Sequence, residues 1–425
     1  MTISKTNTTL LRVICCVCLT ILSCFYGNTS TAQELPCANE IFQTQQLKDT
    51  AFVRQLRDLR QQANNVPQQR INGAILEIPI VVHVLHLGEP IGTGTNISDQ
   101  QIYDAVQGAN ERWRRMNTTE GVDMEVQFCL AQFDPEGNPV NGIVRKDASG
   151  IPNYSQYGIS YIGAFGEPGS DEIATKNFSN WPHNYVYNIW VVNKIAGNWG
   201  GYAFFPVGGE YSTDGVVIIA NSMKYIYSTL AHELGHGMSL FHTFQGDDGG
   251  NCPANDLCFI QGDWICDTPP HRQSDCNNSS CNNSPDSLYS MKNIMSYCNA
   301  RGMFTQGQKD RVRTSIFNTS RKQLLFSHAC IGMATDISRT VKTNDPLNLY
   351  PNPGNGNFTI FTQINPNESA TLEIINTIGQ TLIQADMYTG KEHHFSFSGQ
   401  LPKGIYQVLI RRNTELRQVG LLSIL

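Results

Sequence analysis

Residues 232 to 242 read His-Glu-Leu-Gly-His-Gly-Met-Ser-Leu-Phe-His, a stretch whose residue types and spacing suit metal-assisted hydrolysis. On a helix, His232 and His236 emerge from one face, one turn apart, so both imidazoles can grip a single divalent ion. Nitrogen ligands at that spacing suit zinc. Glu233 follows the first histidine, where it can stand beside the metal without ligating it and take a proton from a water there. An unbroken helix would point His242 away. Gly235, Gly237 and Ser239 weaken helical character, so a turn that swings His242 back to the metal is expected. The stretch reads as a three-histidine zinc site with a fourth position open to water.

A second segment, Asn-Ile-Met-Ser-Tyr at 293 to 297, follows. The pair of segments resembles the metzincin metalloproteases, whose zinc signature is followed by a methionine turn beneath the metal. His-Thr-Phe-Gln-Gly (242 to 246), Gly-Asp-Trp-Ile-Cys-Asp-Thr-Pro (262 to 269), Phe-Thr-Gln-Gly-Gln (304 to 308), the strand Tyr187 to Asn193 and Gly-Tyr-Ala-Phe-Phe-Pro (201 to 206) resemble the pappalysin branch, over roughly residues 77 to 315. The resemblance implies a zinc metalloendopeptidase acting on proteins or peptides, with an apolar floor at Met295. It also implies that Tyr297 sits near the developing oxyanion; core packing is the other reading of that residue. Metzincins carry glycine three residues after the second zinc histidine, whereas this chain has Ser239, which would have to accept a left-handed backbone.

Cysteine usage adds two inferences. Of 13 cysteines, Cys15, Cys16, Cys18 and Cys24 fall in the N-terminal leader. Cys129, Cys252, Cys258, Cys266, Cys276, Cys281, Cys298 and Cys330 form an even set suited to disulfides in an oxidising compartment. Cys37 is left over. Its thiolate, in a removable prosegment, could fill the open zinc position and keep the enzyme latent, a scheme that pappalysin-like zymogens resemble. A disulfide from Cys37 to Cys330 or another partner is the competing reading. Asp247, Asp248, Asp263, Asp267 and Thr268 offer hard oxygen atoms in a polar loop, and the resemblance implies calcium there, with Asp263, Asp267 and Thr268 the best ligands.

These groups need elements to hold them. Glu77 to His86 is rich in β-branched residues and reads as a buried strand, with His83 and His86 as core or rim histidines. Ser98 to Gln101 reads as a capping box opening a helix whose apolar stripe is Ile102, Val106, Ala109 and Trp113. Met124 to Gln132, Tyr185 to Asn193 and Asp214 to Ala220 read as further strands, the last leading into the zinc helix. Thr50 to Gln62 is an arginine- and glutamine-rich helix candidate ending near Asn64 and Asn65. The expected fold is a mixed α/β, metzincin-like domain with an active-site helix and a methionine turn, its cleft lying under an edge strand that an extended peptide could join.

The chain is long enough for two or three domains. Residues 1–33 read as a secretory signal, 34–76 as a propeptide, 77–335 as the peptidase domain, 336–345 as a linker and 346–425 as a small all-β sandwich. Ile21 to Cys24 also faintly resembles a lipoprotein box. Within the last region, Tyr-Pro-Asn-Pro at 350 to 353, Gly-Asn-Phe at 356 to 358 and Leu-Pro-Lys-Gly-Ile-Tyr at 401 to 406 resemble the sorting domain of the bacterial type IX secretion system. The resemblance implies export through the periplasm to the surface or medium with the outer-membrane machinery as partner; a carbohydrate- or surface-binding module is the alternative. Charged residues are 16% and the net charge is −6, which argues against nucleic acid. No later segment reaches membrane-span length, and a monomer is expected. The rival function is a catalytically dead surface adhesin on a peptidase fold.

Overall fold

The computed structural model describes residues 35–39, 43, 46–65, 75–160, 168–207, 212–273, 281, 292–298, 301–327, 329–330, 347, 349–351, 354–366, 368–375, 381–402, 404–412 and 415–424. The leader, the linker, Cys276 and residues 66–74 of the expected propeptide boundary lie outside them.

A twisted, mostly parallel sheet organises the larger domain. Its strands are β1 (Leu76–His86), β2 (Val126–Leu130), β3 (Ile143–Asp147), β4 (Tyr187–Val192), β5 (Gly201–Ala203) and β6 (Val216–Ile219). The order is β2-β1-β4-β6-β5; β2 pairs with the first half of β1 and β3 with its second half. All pairings are parallel except that of β5, which runs antiparallel to β6 and forms the edge. β4 and β6 are buried along their whole length, as expected of strands covered on both faces. Alternation then divides the side chains between two cores. Ile189, Val191, Val216 and Ile218 join Trp113, Leu230, Leu234 and Met238 on the helical side. Trp190, Val192, Val217 and Ile219 join Tyr154, Tyr202 and Phe204 on the other.

The helices are α1 (Thr50–Asn65), α2 (Asp99–Trp113), the short α3 (Tyr154–Tyr157) and α4 (Glu172–Asn177), then α5 (Thr229–Gly237) and α6 (Gln306–Asn318). α2 begins where expected, with Ser98 Oγ accepting from Gln101 N. The reciprocal half of that box does not form, because the Gln101 amide donates to the carbonyls of Ala220 and Met223 instead. A complete capping box stands at Thr305 and Gln308, opening α6. The strands expected at 124–132, 185–193 and 214–220 shorten at both ends, β1 gains Leu76, and β3 was not anticipated: three residues of Ile-Val-Arg-Lys-Asp are charged, and it sits at a partly exposed edge. His83 is buried, stacked on Trp190 with centroids 5.5 Å apart, and His86 accepts from Gly88 N, so neither approaches the metal motif.

Cys129 bridges Cys330, Cys252 bridges Cys281, Cys258 bridges Cys266, and Cys298 is also disulfide-bonded. Cys37 is free, so the competing disulfide from it to Cys330 does not form.

The C-terminal region is a two-sheet antiparallel β structure. One sheet orders β10 (Thr381–Met387), β9 (Ala370–Ile375), β12 (Gly404–Arg412) and β13 (Glu415–Ile424). The other orders β11 (Gly390–Ser396), β8 (Asn357–Ile364) and β7 (Leu349–Tyr350). Alternate residues Phe358, Ile360 and Ile364 of β8, Leu372 and Ile374 of β9 and Val408 and Ile410 of β12 share one core. Among the described residues no helix is long and apolar enough to cross a membrane.

Candidate metal centre

α5 carries His232 and His236 on one face and then stops within a turn. Leu240 N donates to Gly235 O (3.0 Å) and Ser239 N to His236 O (2.9 Å), the two crossed bonds of a Schellman ending. The residue that must be left-handed there is Ser239, with φ at +76°. Its Oγ lies 2.7 Å from Ser315 Oγ of α6. This turn returns His242 to the other two rings. The Nε2 atoms of His232, His236 and His242 lie 3.1 to 3.2 Å apart.

The outer nitrogens settle which atoms face inward. Nδ1 of His232 is 2.7 Å from Ile294 O, and Nδ1 of His236 is 2.7 Å from Leu240 O. A carbonyl only accepts, so each Nδ1 carries the proton and each Nε2 keeps its lone pair. His242 is instead held by ring packing, 4.7 Å from Phe244 and 4.8 Å from Tyr297 between centroids. Burial drives His236 down to about 3; burial and then the neighbouring rings put His232 and His242 well below the usual histidine value. All three present neutral nitrogen.

Glu233 is fully buried beside them, and burial pushes its carboxyl up to about 8 against opposing contributions from Cys37 and Arg301. Its place depends on Gly201 of β5, where an added Cβ would come within 2.8 Å of Glu233 Oε1. Beneath the helix, Met295 Sδ packs so closely that a Cβ on Gly235 would lie 2.4 Å from it. That turn is braced by Asn293, whose amide exchanges bonds of 2.7 and 3.0 Å with Gln308 of the capping box.

Residues 35–39 enter this cleft along the β5 edge. Gly200 N donates to Pro36 O (2.8 Å) and Ala38 N to Gly201 O (3.0 Å), a parallel bridge of Cys37 with Gly201 on the β5 edge. Asn39 bonds both ways to the Ala203 backbone, at 2.7 and 2.9 Å. Cys37 Sγ thereby sits 3.4 Å from Glu233 Oε2, and it, with the three histidines, forms a group whose ligand atoms all lie within 4.8 Å of one another. Tyr297 Oη donates to Cys37 O at 2.8 Å.

The acidic loop is arranged differently. Thr268 Oγ1 is 2.7 Å from Asp263 Oδ1, but Asp267 turns to α6, accepting from Thr305 Oγ1 and Gly307 N at 2.8 Å each. Asp247 and Asp248 accept from backbone amides of their own loop, Asp247 also from Gln273 N. Asp263 Oδ2 has no bond to the described residues, and burial raises that carboxyl to about 7. Sequence reasoning missed Asn39, Arg301, the packing role of Gly201 inside its motif, and the Asp214–Arg321 pair, where Arg321 Nε also donates to Gly237 O at the end of α5. Only the capping-box pattern at Thr305 and Gln308 left a local signal.

Comparison with known proteins fits this geometry. Residues 169–317 match the family described as pregnancy-associated plasma protein-A, and residues 348–420 match the secretion system C-terminal sorting domain. Extracellular metalloprotease 1 of Coccidioides posadasii is 29% identical over 161 residues, 33% of this chain and 53% of that protein. An extracellular metalloprotease of Colletotrichum graminicola is 26% identical over 266 residues, 58% of this chain and 78% of that protein. The solved structure of a mutant promirolysin from Tannerella forsythia is similar at a TM-score of 0.52 and 26% identity, covering 68% of this chain and 96% of that one. The chain spans about half the length of the first two curated relatives, 53% and 49%. Both resemblances drawn from the motifs, pappalysin-like and sorting-domain-like, are borne out.

Proposed function

We propose that this chain is an exported zinc endopeptidase, made as a latent zymogen, that hydrolyses peptide bonds in proteins. The observation that carries the reading is the convergence of three Nε2 atoms at 3.1 to 3.2 Å, with Glu233 and Cys37 Sγ beside them. Nitrogens about 2.0–2.1 Å from a tetrahedral zinc would lie roughly 3.3 Å apart, so the residues present fit the ion. Zinc held by His232, His236 and His242 would supply a Lewis acid that polarises a peptide carbonyl and acidifies water.

The chain's own groups do the rest. Glu233, in its buried position against Gly201, receives the proton from the attacking water and returns it to the leaving amine. Tyr297 presents its hydroxyl where prosegment carbonyl oxygen Cys37 O now lies, and a substrate oxygen in that place would take the same hydrogen bond. The β5 edge aligns the peptide backbone, as it aligns Leu35 to Asn39 in the latent chain. Burial, and then Glu233 beside it, push the Cys37 thiol well up; zinc held by the three histidines would favour the thiolate, and Cys37 Sγ would be the further group placed to hold the ion.

Residues 1–33 would direct export, 34–76 would confer latency, 77–335 would cut, and 346–425 beyond the 336–345 linker would address the chain to the type IX machinery in the outer membrane. A calcium ion in the acidic loop would have to draw on Asp263 Oδ2, since Asp267 is engaged at the start of α6. Treatment of the processed protein with a zinc chelator should abolish peptide hydrolysis, and added zinc should restore it. Unchanged hydrolysis in the verified metal-free protein would refute the reading.

A further inference from the structure

α1 lies in an apolar groove of the peptidase domain that continues into the metal centre. Phe52, Leu56 and Leu59 form one stripe at helical spacing, and each is at most 5% exposed. They pack on Phe205, Val207, Phe241 and Trp264. The rings make a continuous path: Phe52 to Phe205 at 6.2 Å, Phe205 to Phe241 at 4.9 Å, Phe241 to Trp264 at 6.0 Å. At the inner end Phe205 stacks on His236, with centroids 6.3 Å apart. At the outer end the Arg60 guanidinium lies 4.7 Å over Phe259 and donates to its carbonyl. Leu257, Phe259 and Ile260 extend the apolar surface there, and they are 46%, 41% and 39% exposed even with α1 in place.

We propose that in the processed enzyme this groove is a docking surface for an amphipathic helical segment of protein substrates. The proposal rests on the peptidase reading above, with loss of the prosegment on processing. Once α1 leaves, a contiguous apolar strip borders the cleft, and strips of that kind mark interaction sites. The strip is held by fixed parts of the domain: Phe241 belongs to the ligand turn, and Trp264 lies inside the Cys258–Cys266 loop with its carbonyl near Arg311 Nη2. It therefore keeps its shape in place of collapsing. That shape already accepts a helix with apolar residues at i, i+4 and i+7, so a substrate segment of the same pattern fits it. The prosegment also runs through both groove and cleft in one chain, so a single polypeptide can occupy the two together.

The experiment uses the processed protein, an octapeptide substrate chosen from a library digest, and the same octapeptide extended at either end by a helix with Phe, Leu and Leu in the α1 pattern. At least one extended substrate should show KM about tenfold lower than the octapeptide at similar kcat. A free peptide with the sequence of residues 50–65 should cancel that advantage without slowing octapeptide cleavage. Trp264→Ala and Val207→Asp should each abolish the difference while octapeptide turnover, which reports an intact site, persists. Equal KM for the octapeptide and both extended substrates overturns the proposal alone, as does equal inhibition of every substrate by the free peptide. No octapeptide turnover would overturn the peptidase reading and this proposal with it.

Discussion

Ser239 sits in a backbone conformation that suits glycine, and its hydroxyl compensates through Ser315 Oγ at 2.7 Å. The left-handed backbone costs a non-glycine residue on the order of 1 kcal/mol, and the buried hydrogen bond contributes about as much. Ser239→Gly should therefore leave thermal stability nearly unchanged, while Ser239→Ala keeps the strain, loses the bond and should cost about 1–2 kcal/mol in denaturant unfolding. Ser239→Ala as stable as the parent chain would show that the Ser315 contact contributes nothing, and equal stability of the two variants would show that the left-handed backbone costs nothing. Cys37 invites a second test at this scale. If residues 34–76 are a prosegment, Cys37→Ala in the chain that retains them should hydrolyse peptide before processing and shed them faster; continued latency would assign the block to Asn39 and the β5 pairing instead. The histidines, Glu233 and Cys37 were legible because their chemistry is local in spacing or in parity. The role of Gly201 against Glu233, and Arg301 altogether, were not, because each matters only through contacts that the fold makes over long sequence distances.

At the level of elements, His83 of β1 is a buried neutral group that acid must charge. Burial lowers its pKa to about 4, and its Nε2 bonds to Asn188 Oδ1 at 2.8 Å. The folded value lies below the unfolded value of about 6.5, so this contribution to stability is complete above pH 6.5 and is lost as pH falls toward 4. The magnitude is about 3 kcal/mol. Unfolding free energies measured from pH 7 to 4 should fall less steeply in His83→Gln than in the parent chain; identical slopes would mean that His83 titrates normally. Strands with β-branched runs, such as β1, β4 and β6, were legible because burial on both faces demands them. β5 was legible only through its motif, since three residues carry no period, and α6 was not read as a helix although Thr305 and Gln308 cap it. The arginine- and glutamine-rich run Thr50 to Gln62, with its stop near Asn64 and Asn65, placed α1 close to its observed end, Asn65.

For the molecule as a whole, the two-sheet tail has its own core, and none of the residues gathered at the metal centre comes from it. Deleting 346–425 should leave exported chain in the periplasm, as cell fractionation would report, yet the purified remainder should keep its peptide-hydrolysing rate. Normal surface delivery without the tail would contradict the sorting role. In the proposed mechanism Glu233 moves the proton at a zinc site built by His232, His236 and His242. That role is tested most directly by comparing peptide turnover of processed Glu233→Gln and parent protein at verified, equal zinc content. Both should hold one zinc per chain, with the rate of the variant lowered by at least roughly a hundredfold; near-parent turnover at full zinc occupancy would rule Glu233 out as the base.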